Sequence, residues 1–189
     1  MLMRGLLSKV FVLPLASTLL ASSLIWVAPG TANGSECKPV KPRGKSVGTI
    51  NYGVGSMPII PFTYPAGGVM EPQGTTRAAA VSLRHMPLDS TLGTTVIAWH
   101  VDFKGCLNEL NIIPKKPIGF KFNITDNKGA KRTYVVSQKF TVKKGKYKKS
   151  WFSLVGPRQI SMFTCSGPFR DGHYRDNEVV IAVPITSQI

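Results

Sequence analysis

Residues 160–181 read ISMFTCSGPFRDGHYRDNEVVI, and the reading of this stretch decides the fold. The uncharged run Gln159 to Phe163 predicts a strand that delivers Cys165 to its end, because Ser166, Gly167, Pro168 and Gly172 then break the pattern as a turn would. Val179 to Val183 predicts a second strand. Arg175 lies ten positions past Cys165, which lets neighbouring antiparallel strands bring a thiol and a guanidinium together.

Working outward, the clearest strand is Thr94 to Val101, TTVIAWHV, β-branched and apolar with His100 near its C-terminal end. Val47 to Asn51 and Met57 to Phe62 predict short strands, and Pro65 to Gly74 a turn region. Ala78 to Leu83 fits a short strand or a helical turn. Leu107 to Ile113 allows a helical turn before Pro114 and Pro117. Ile118 to Ile124 alternates, and a turn at Asp126 to Gly129 leads into Lys131 to Gln138, a hairpin, with a further strand at Lys139 to Val142. Many short strands between Gly/Pro turns, with no helix of more than three turns after residue 33, imply an all-β barrel or sandwich.

The chain has 189 residues, enough for one domain with a proper core. Residues 1–32 read as a signal peptide or an N-terminal membrane anchor: Arg4 and Lys9 precede an uncharged run from Val10 to Ala28, about 28 Å as a helix, and Gly30, Thr31 and Ala32 offer a small-residue cleavage site. Either way the remainder is expected to be exported. Residues 33–46 form a polar, basic tether, and residues 47–189 the domain itself.

Formal charge is +15, of which only Arg4 and Lys9 fall in the leader. An exported protein so basic suits phospholipid headgroups, wall polymers or acidic substrates better than nucleic acid. The run KKGKYKK, Lys143 to Lys149, fits either a solvated hairpin tip or a contact with an anionic membrane or wall polymer.

Cys37, Cys106 and Cys165 permit at most one disulfide, so one thiol is left over in an oxidising compartment. Cys37 with Cys106 is the pairing that leaves Cys165 free, although nothing in the spacing proves it. No two cysteines have C-x-x-C spacing, the nine acidic residues are scattered, and no Gly-rich phosphate loop occurs, so neither a metal nor another cofactor is expected.

Acyl transfer by a thiol needs a nucleophilic sulfur, an imidazole to exchange protons and a positive group where the oxyanion forms. Cys165, His100 and Arg175 supply those three types. Taken singly, each is as well explained as a buried small hydrophobe, a structural histidine and a salt-bridge partner.

Ser161-Met162-Phe163-Thr164-Cys165 resembles the T-L-x-T-C pattern of sortases, and Val96 to Asp102, VIAWHVD, is similar to their histidine strand. Likeness is closest to the class F sortases of actinobacteria: Thr164 to Phe169, TCSGPF, resembles T-C-G-G-x-F; Tyr174 to Ala182, YRDNEVVIA, resembles Y-R-D-N-x-V-V-x-A; and Gly68 to Pro72, GVMEP, resembles D-G-x-M-x-x-P. The resemblance runs from Val47 to Ile185. It implies a closed eight-stranded β-barrel with short helices and a monomeric cysteine transpeptidase. Cys165 would attack a Leu-Pro-x-Thr-Gly sorting signal after Thr, His100 would protonate the departing amine, and Arg175 would hold the oxyanion or the threonine. An amine of a peptidoglycan precursor would accept the acyl group. Thr164, Trp99 and Tyr174 are the expected substrate contacts.

Trp99 departs from the family, which usually carries a small residue before the histidine, and its indole is expected to narrow the groove or crowd His100. The loop between Cys165 and Tyr174 is about two residues short for the family, and Arg170 offers a competing guanidinium. His85 and His173 read as structural or solvent-facing, and Cys106 as structural. Asn123-Ile124-Thr125 matches a glycosylation acceptor but lies in an alternating strand. Two other functions fit the same residues: an exported basic module that binds wall polymer or a surface-protein partner without catalysis, and a thiol hydrolase with water as acceptor.

Overall fold

The computed structural model describes residues 36–65 and 70–185, so residues 1–32 and the Gly68-Val69 part of the GVMEP element lie outside the described residues. Among the described residues no helix is long and apolar enough to cross a membrane.

Eight strands close into a barrel in the order β1-β2-β3-β4-β9-β10-β8-β7. They are β1 (Gly48–Asn51), β2 (Ser56–Phe62), β3 (Ala79–Ser82), β4 (Thr94–Trp99), β7 (Lys121–Asp126), β8 (Lys131–Lys143), β9 (Gln159–Arg170) and β10 (His173–Pro184). The pairs β2–β3 and β4–β9 are parallel and the rest antiparallel, so the sheet is mixed. A small separate hairpin, β5 (Asp102–Phe103) and β6 (Cys106–Leu107), follows β4. It leads through a 3-10 turn at Glu109–Asn111 to the single helical turn α1 (Ile112–Lys115).

The apolar run in β4 is continuous because both faces are covered, and all six residues are buried. Ile97 and Trp99 point into the barrel with Ile59, Ile160, Met162 and Val180. Val96 and Ala98 point outward, under Phe163, Val179 and Ile181 on neighbouring strands. Trp151 and Phe152 cover that outer layer from the 3-10 turn Lys149–Phe152; Trp151 lies 5.0 Å from Phe140, and Phe152 stacks on Phe163 at 5.2 Å. Each such fully buried aliphatic or aromatic side chain contributes roughly 1.5–3 kcal/mol of transfer free energy.

Three expectations change. The strand carrying Cys165 does not end there: β9 runs on to Arg170, and only Asp171 and Gly172 turn the chain. A bulge absorbs the Gly-Pro pair, since Tyr174 pairs with Phe169 but Asp176 pairs with Ser166. Gly167 takes a φ of 76° there, with the Asp176 carboxylate where a Cβ would sit. The break predicted between Gln138 and Lys139 does not occur: both belong to one 13-residue strand, whose only irregularity is a bulge at Ser137, because Ile181 pairs with Gln138 and Ala182 with Val136. Finally, Lys143 to Lys149 is no hairpin tip. It leaves β8 and crosses the outer face, with Lys148 Nζ 4.4 Å from the centre of the Phe140 ring.

The described part of the tether is fastened to the barrel. Cys37 and Cys106 form a disulfide, which leaves Cys165 as the free thiol. The Lys38 amide donates to Lys104 O at 3.1 Å, Thr75 Oγ1 to Val40 O at 2.6 Å, and Gln73 Nε2 to Arg43 O at 2.8 Å. The cross-link spans 69 positions, worth about 4 kcal/mol of lost loop entropy in the unfolded chain. The paired Cys37→Ser, Cys106→Ser variant is therefore expected to lose roughly 2–4 kcal/mol of unfolding free energy, read from its urea midpoint.

At the barrel end opposite Cys165, the Arg158 side chain is 7% exposed. Its guanidinium donates to Thr95 Oγ1 at 2.6 Å, Leu88 O at 3.2 Å and Tyr134 Oη at 3.3 Å, so burial does not orphan those donors.

Candidate active site

Parallel pairing of β4 with β9 sets Trp99 opposite Thr164, and the next position on each strand is His100 and Cys165. Adjacent strands lie about 4.8 Å apart, so this register makes His100 and Cys165 backbone neighbours at the ends of the paired segments. On the other flank, Cys165 pairs with Asn177 of β10. Alternation places Cys165 on the outer face with Phe163, not in the barrel.

Both His100 and Cys165 line a groove of about 750 Å³ on that face. Tyr64, Tyr147, Phe152 and Phe163 give it an aromatic lining, and Met70, Glu71 and Pro72 also border it. Such a trough suits an extended apolar segment with a few fixed polar contacts.

His100 follows the last residue of β4, and two contacts hold its ring. Its Nε2–H donates to the Pro72 carbonyl at 3.0 Å, and Phe103 packs against it with ring centres 5.8 Å apart. A carbonyl only accepts, so the neutral ring carries its hydrogen on Nε2 and keeps the Nδ1 lone pair for proton exchange. Pro72 belongs to the segment singled out in the sequence, and its use here is to orient the imidazole.

Arg175 lies at the bulge of β10. Its guanidinium is ion-paired with Asp171 and donates to His173 Nε2 at 3.3 Å, and His173 Nδ1–H in turn donates to Asp171 O at 2.9 Å. Arg175 is thus drawn to the hairpin tip and is not among the residues lining the groove, whereas His173 and Tyr174 are. Arg170 shares that tip and also stays outside the groove.

The remaining predicted contacts fall differently. Trp99 borders the groove, but its ring belongs to the barrel interior, 3% exposed, with Nε1–H donating to Asn111 Oδ1 at 2.9 Å. The indole therefore packs inside rather than crowding His100, because position 99 has inward parity on β4. Thr164 is also inward and buried; its hydroxyl donates to Trp99 O at 3.1 Å and ties the two strands beside the His100–Cys165 pair. Tyr174 donates to Asp102 Oδ2 at 3.0 Å. Burial, and next the Asp102 carboxylate, push its phenol up to about 12. His85 is structural: it lies between Tyr64 and Phe152, shares a hydrogen bond with Ser82 Oγ, and is held below the usual histidine value by burial and then by Arg84.

Asn177 has a role that the sequence alone does not reveal. It is 8% exposed, donates through Nδ2 to Thr164 O at 3.0 Å, and accepts the Tyr147 hydroxyl at 2.8 Å through Oδ1. It thereby fixes the backbone just before Cys165 and pins the lysine-rich segment over the groove. Its place inside the YRDN motif was the available signal; its partners are set by register. Among the described residues no group of three or more His, Cys, Asp or Glu side chains is disposed to hold a metal.

The architecture is that of sortases. Streptococcus agalactiae sortase C1, in its complex with MTSET, superposes with a TM-score of 0.59 at 16% identity, over 76% of this chain and 71% of that one. Sortase C-1 from Actinomyces oris gives 0.59 at 16% identity over 75% of each chain. A lid mutant of sortase A from Corynebacterium diphtheriae gives 0.57 at 16% identity, covering 75% and 71%. No protein-family model matches the sequence, and no curated protein does. The fold is thus a sortase-like closed barrel, common to class A and class C enzymes.

Proposed function

We propose that the chain is an extracytoplasmic cysteine transpeptidase of sortase type, acting on a Leu-Pro-x-Thr-Gly sorting signal. The observation that carries this reading is the adjacency of His100 and Cys165 across the β4–β9 pair, in an aromatic-lined groove on a sortase-like barrel. The class F assignment rests on the TCSGPF and YRDNEVVIA motifs.

In the first half-reaction the Cys165 thiol gives its proton to His100 and the sulfur attacks the threonyl carbonyl carbon. A C–S bond forms, the C–N bond breaks, and His100 returns the proton to the departing amine. In the second, an amine attacks the thioester carbonyl, the new C–N bond replaces C–S, and the proton passes through His100 back to sulfur. The acceptor would be an amine of a peptidoglycan precursor.

Arg175 serves the oxyanion by exchanging partners. Its link to Asp171 joins groups 41% and 77% exposed, and such pairs are worth under about 1 kcal/mol, so a bound peptide displaces it at little cost. Arg175→Ala is expected to lower kcat/KM about 10²-fold or more, Arg175→Lys to recover little because a lysine lacks the planar fork, and Arg170→Ala to change it little. Steady-state peptide cleavage checks all three, and a reversed order would move the role to Arg170.

Full-chain protein with a fluorogenic Leu-Pro-x-Thr-Gly peptide should cleave it after Thr and, with a glycine-type amine present, yield the amine adduct. Cleavage indifferent to the amine would mark a hydrolase. Absence of turnover, with salt-sensitive retention by wall material, would mark a binding module, for which the exposed Lys144, Lys146 and Lys149 speak. The leader would set export. Mass spectrometry of the membrane fraction separates a retained residue 1–32 segment from a cleaved one.

A further inference from the structure

A second groove, of about 670 Å³, opens where the N-terminal segment crosses the barrel, lined by Val40, Lys41, Arg43, Glu71, Phe103 and Lys104. Glu71 also lines the Cys165 groove, so the two depressions share this residue. His100, on the wall of the first groove, packs against Phe103, on the wall of the second, with ring centres 5.8 Å apart. The second groove carries three cations and one carboxylate, a local balance of +2 (three minus one).

Its walls are built rather than incidental. Phe103 lies so close over Gly74 that a Cβ there would come within 2.5 Å of the ring. Lys104 and Gly105 form the tip of the β5–β6 hairpin with φ of 50° and 75°. A left-handed lysine is uncommon and costs backbone energy. Here it sets the ammonium 5.8 Å from the Phe103 ring centre while its carbonyl accepts the Lys38 amide. The Arg43 backbone is clamped by Gln73 at both its amide and its carbonyl, and the Cys37–Cys106 disulfide fixes segment to hairpin.

We infer that this groove binds the acyl acceptor, and that the acceptor is an amine whose body carries carboxylates: Lys41, Arg43 and Lys104 take the carboxylates, and Glu71 guides the ammonium end toward His100. The inference rests on the transpeptidase reading for the use of the amine, but not for the binding itself. The complementarity is one of sign: three cations face carboxylates, and the one carboxylate, on the residue that both grooves share, faces the ammonium.

The test compares two acceptors of similar size on the full chain: glycyl-glutamate, with one amine and two carboxylates, and glycyl-glutamine amide, with one amine and none. In transfer from the fluorogenic peptide, glycyl-glutamate should show a kcat/KM about tenfold higher, as expected for two or three exposed ion pairs. Lys41→Glu with Lys104→Glu should collapse that ratio, and so should raising salt on the unaltered protein, which needs no variant to fold. Equal use of both acceptors, or a preference that survives both charge reversal and salt, would overturn the inference. If the peptide is not cleaved at all, the transpeptidase reading fails by itself. Amide shifts at Phe103 and Lys104 in an NMR titration with glycyl-glutamate then still decide whether the groove binds, and no shift there would overturn it.

Discussion

Cys165→Ala is expected to leave no measurable cleavage of a Leu-Pro-x-Thr-Gly peptide, a loss of at least about 10⁴ in kcat/KM, because the reaction proposed above begins with formation of the C–S bond. The fold should tolerate the change. Cys165 lies on the half-exposed outer face of β9, its backbone pairs with Asn177 regardless of side chain, and removing the sulfur opens no interior cavity. Equal urea midpoints for the two proteins would therefore attribute the lost activity to chemistry. Residual cleavage near the original rate would remove the thiol from the mechanism.

His100→Gln should cost about 10³, since in the proposed mechanism leaving-group protonation and deprotonation of the incoming amine both pass through the imidazole, and proton exchange of this kind supplies about 10²–10⁴. Glutamine keeps a donor for the Pro72 carbonyl, so the loop beside β4 stays tied while the exchangeable lone pair is gone. The loss should appear in kcat more than in KM, because the role proposed for His100 is proton exchange and the aromatic lining of the groove is left in place. A variant that raises KM alone would make His100 a binding residue.

Much of the barrel was legible because its signals are local. The β-branched run of β4, the alternation before the Asp126 to Gly129 turn and the uncharged start of β9 each depend on a few consecutive residues. What was misread depends on pairing between distant strands. Gly167-Pro168 looks like a chain reversal, yet the bulge at Arg175 absorbs it and the hairpin turns later. Lys139 looks like a new strand for the same reason.

The site followed the same division. His100 and Cys165 are visible as residue types on predicted strands, although Cys165 lies inside β9 and not at its end, and the parallel register makes their backbones neighbours. The direction of a side chain was harder to read. Trp99, one residue before His100, faces inward by parity, and a single-position error in imagined register inverts that conclusion. Asn177, Tyr147 and Pro72 come from three separate segments; motifs mark the segments of Asn177 and Pro72, but their convergence on one groove is set by strand register and loop path. The tether read as a spacer because Pro39, Pro42 and its lysines give no strand pattern; the disulfide and its hydrogen bonds to Gln73 and Thr75 fasten it instead.

The covalent intermediate is the most direct object of test. Full-chain protein mixed briefly with the sorting-signal peptide, quenched in acid and weighed intact, should gain the mass of the peptide up to and including Thr. The adduct should map to Cys165 and disappear on treatment with hydroxylamine. An unmodified mass during active cleavage, or an adduct that persists in Cys165→Ala, would contradict acyl transfer through this thiol.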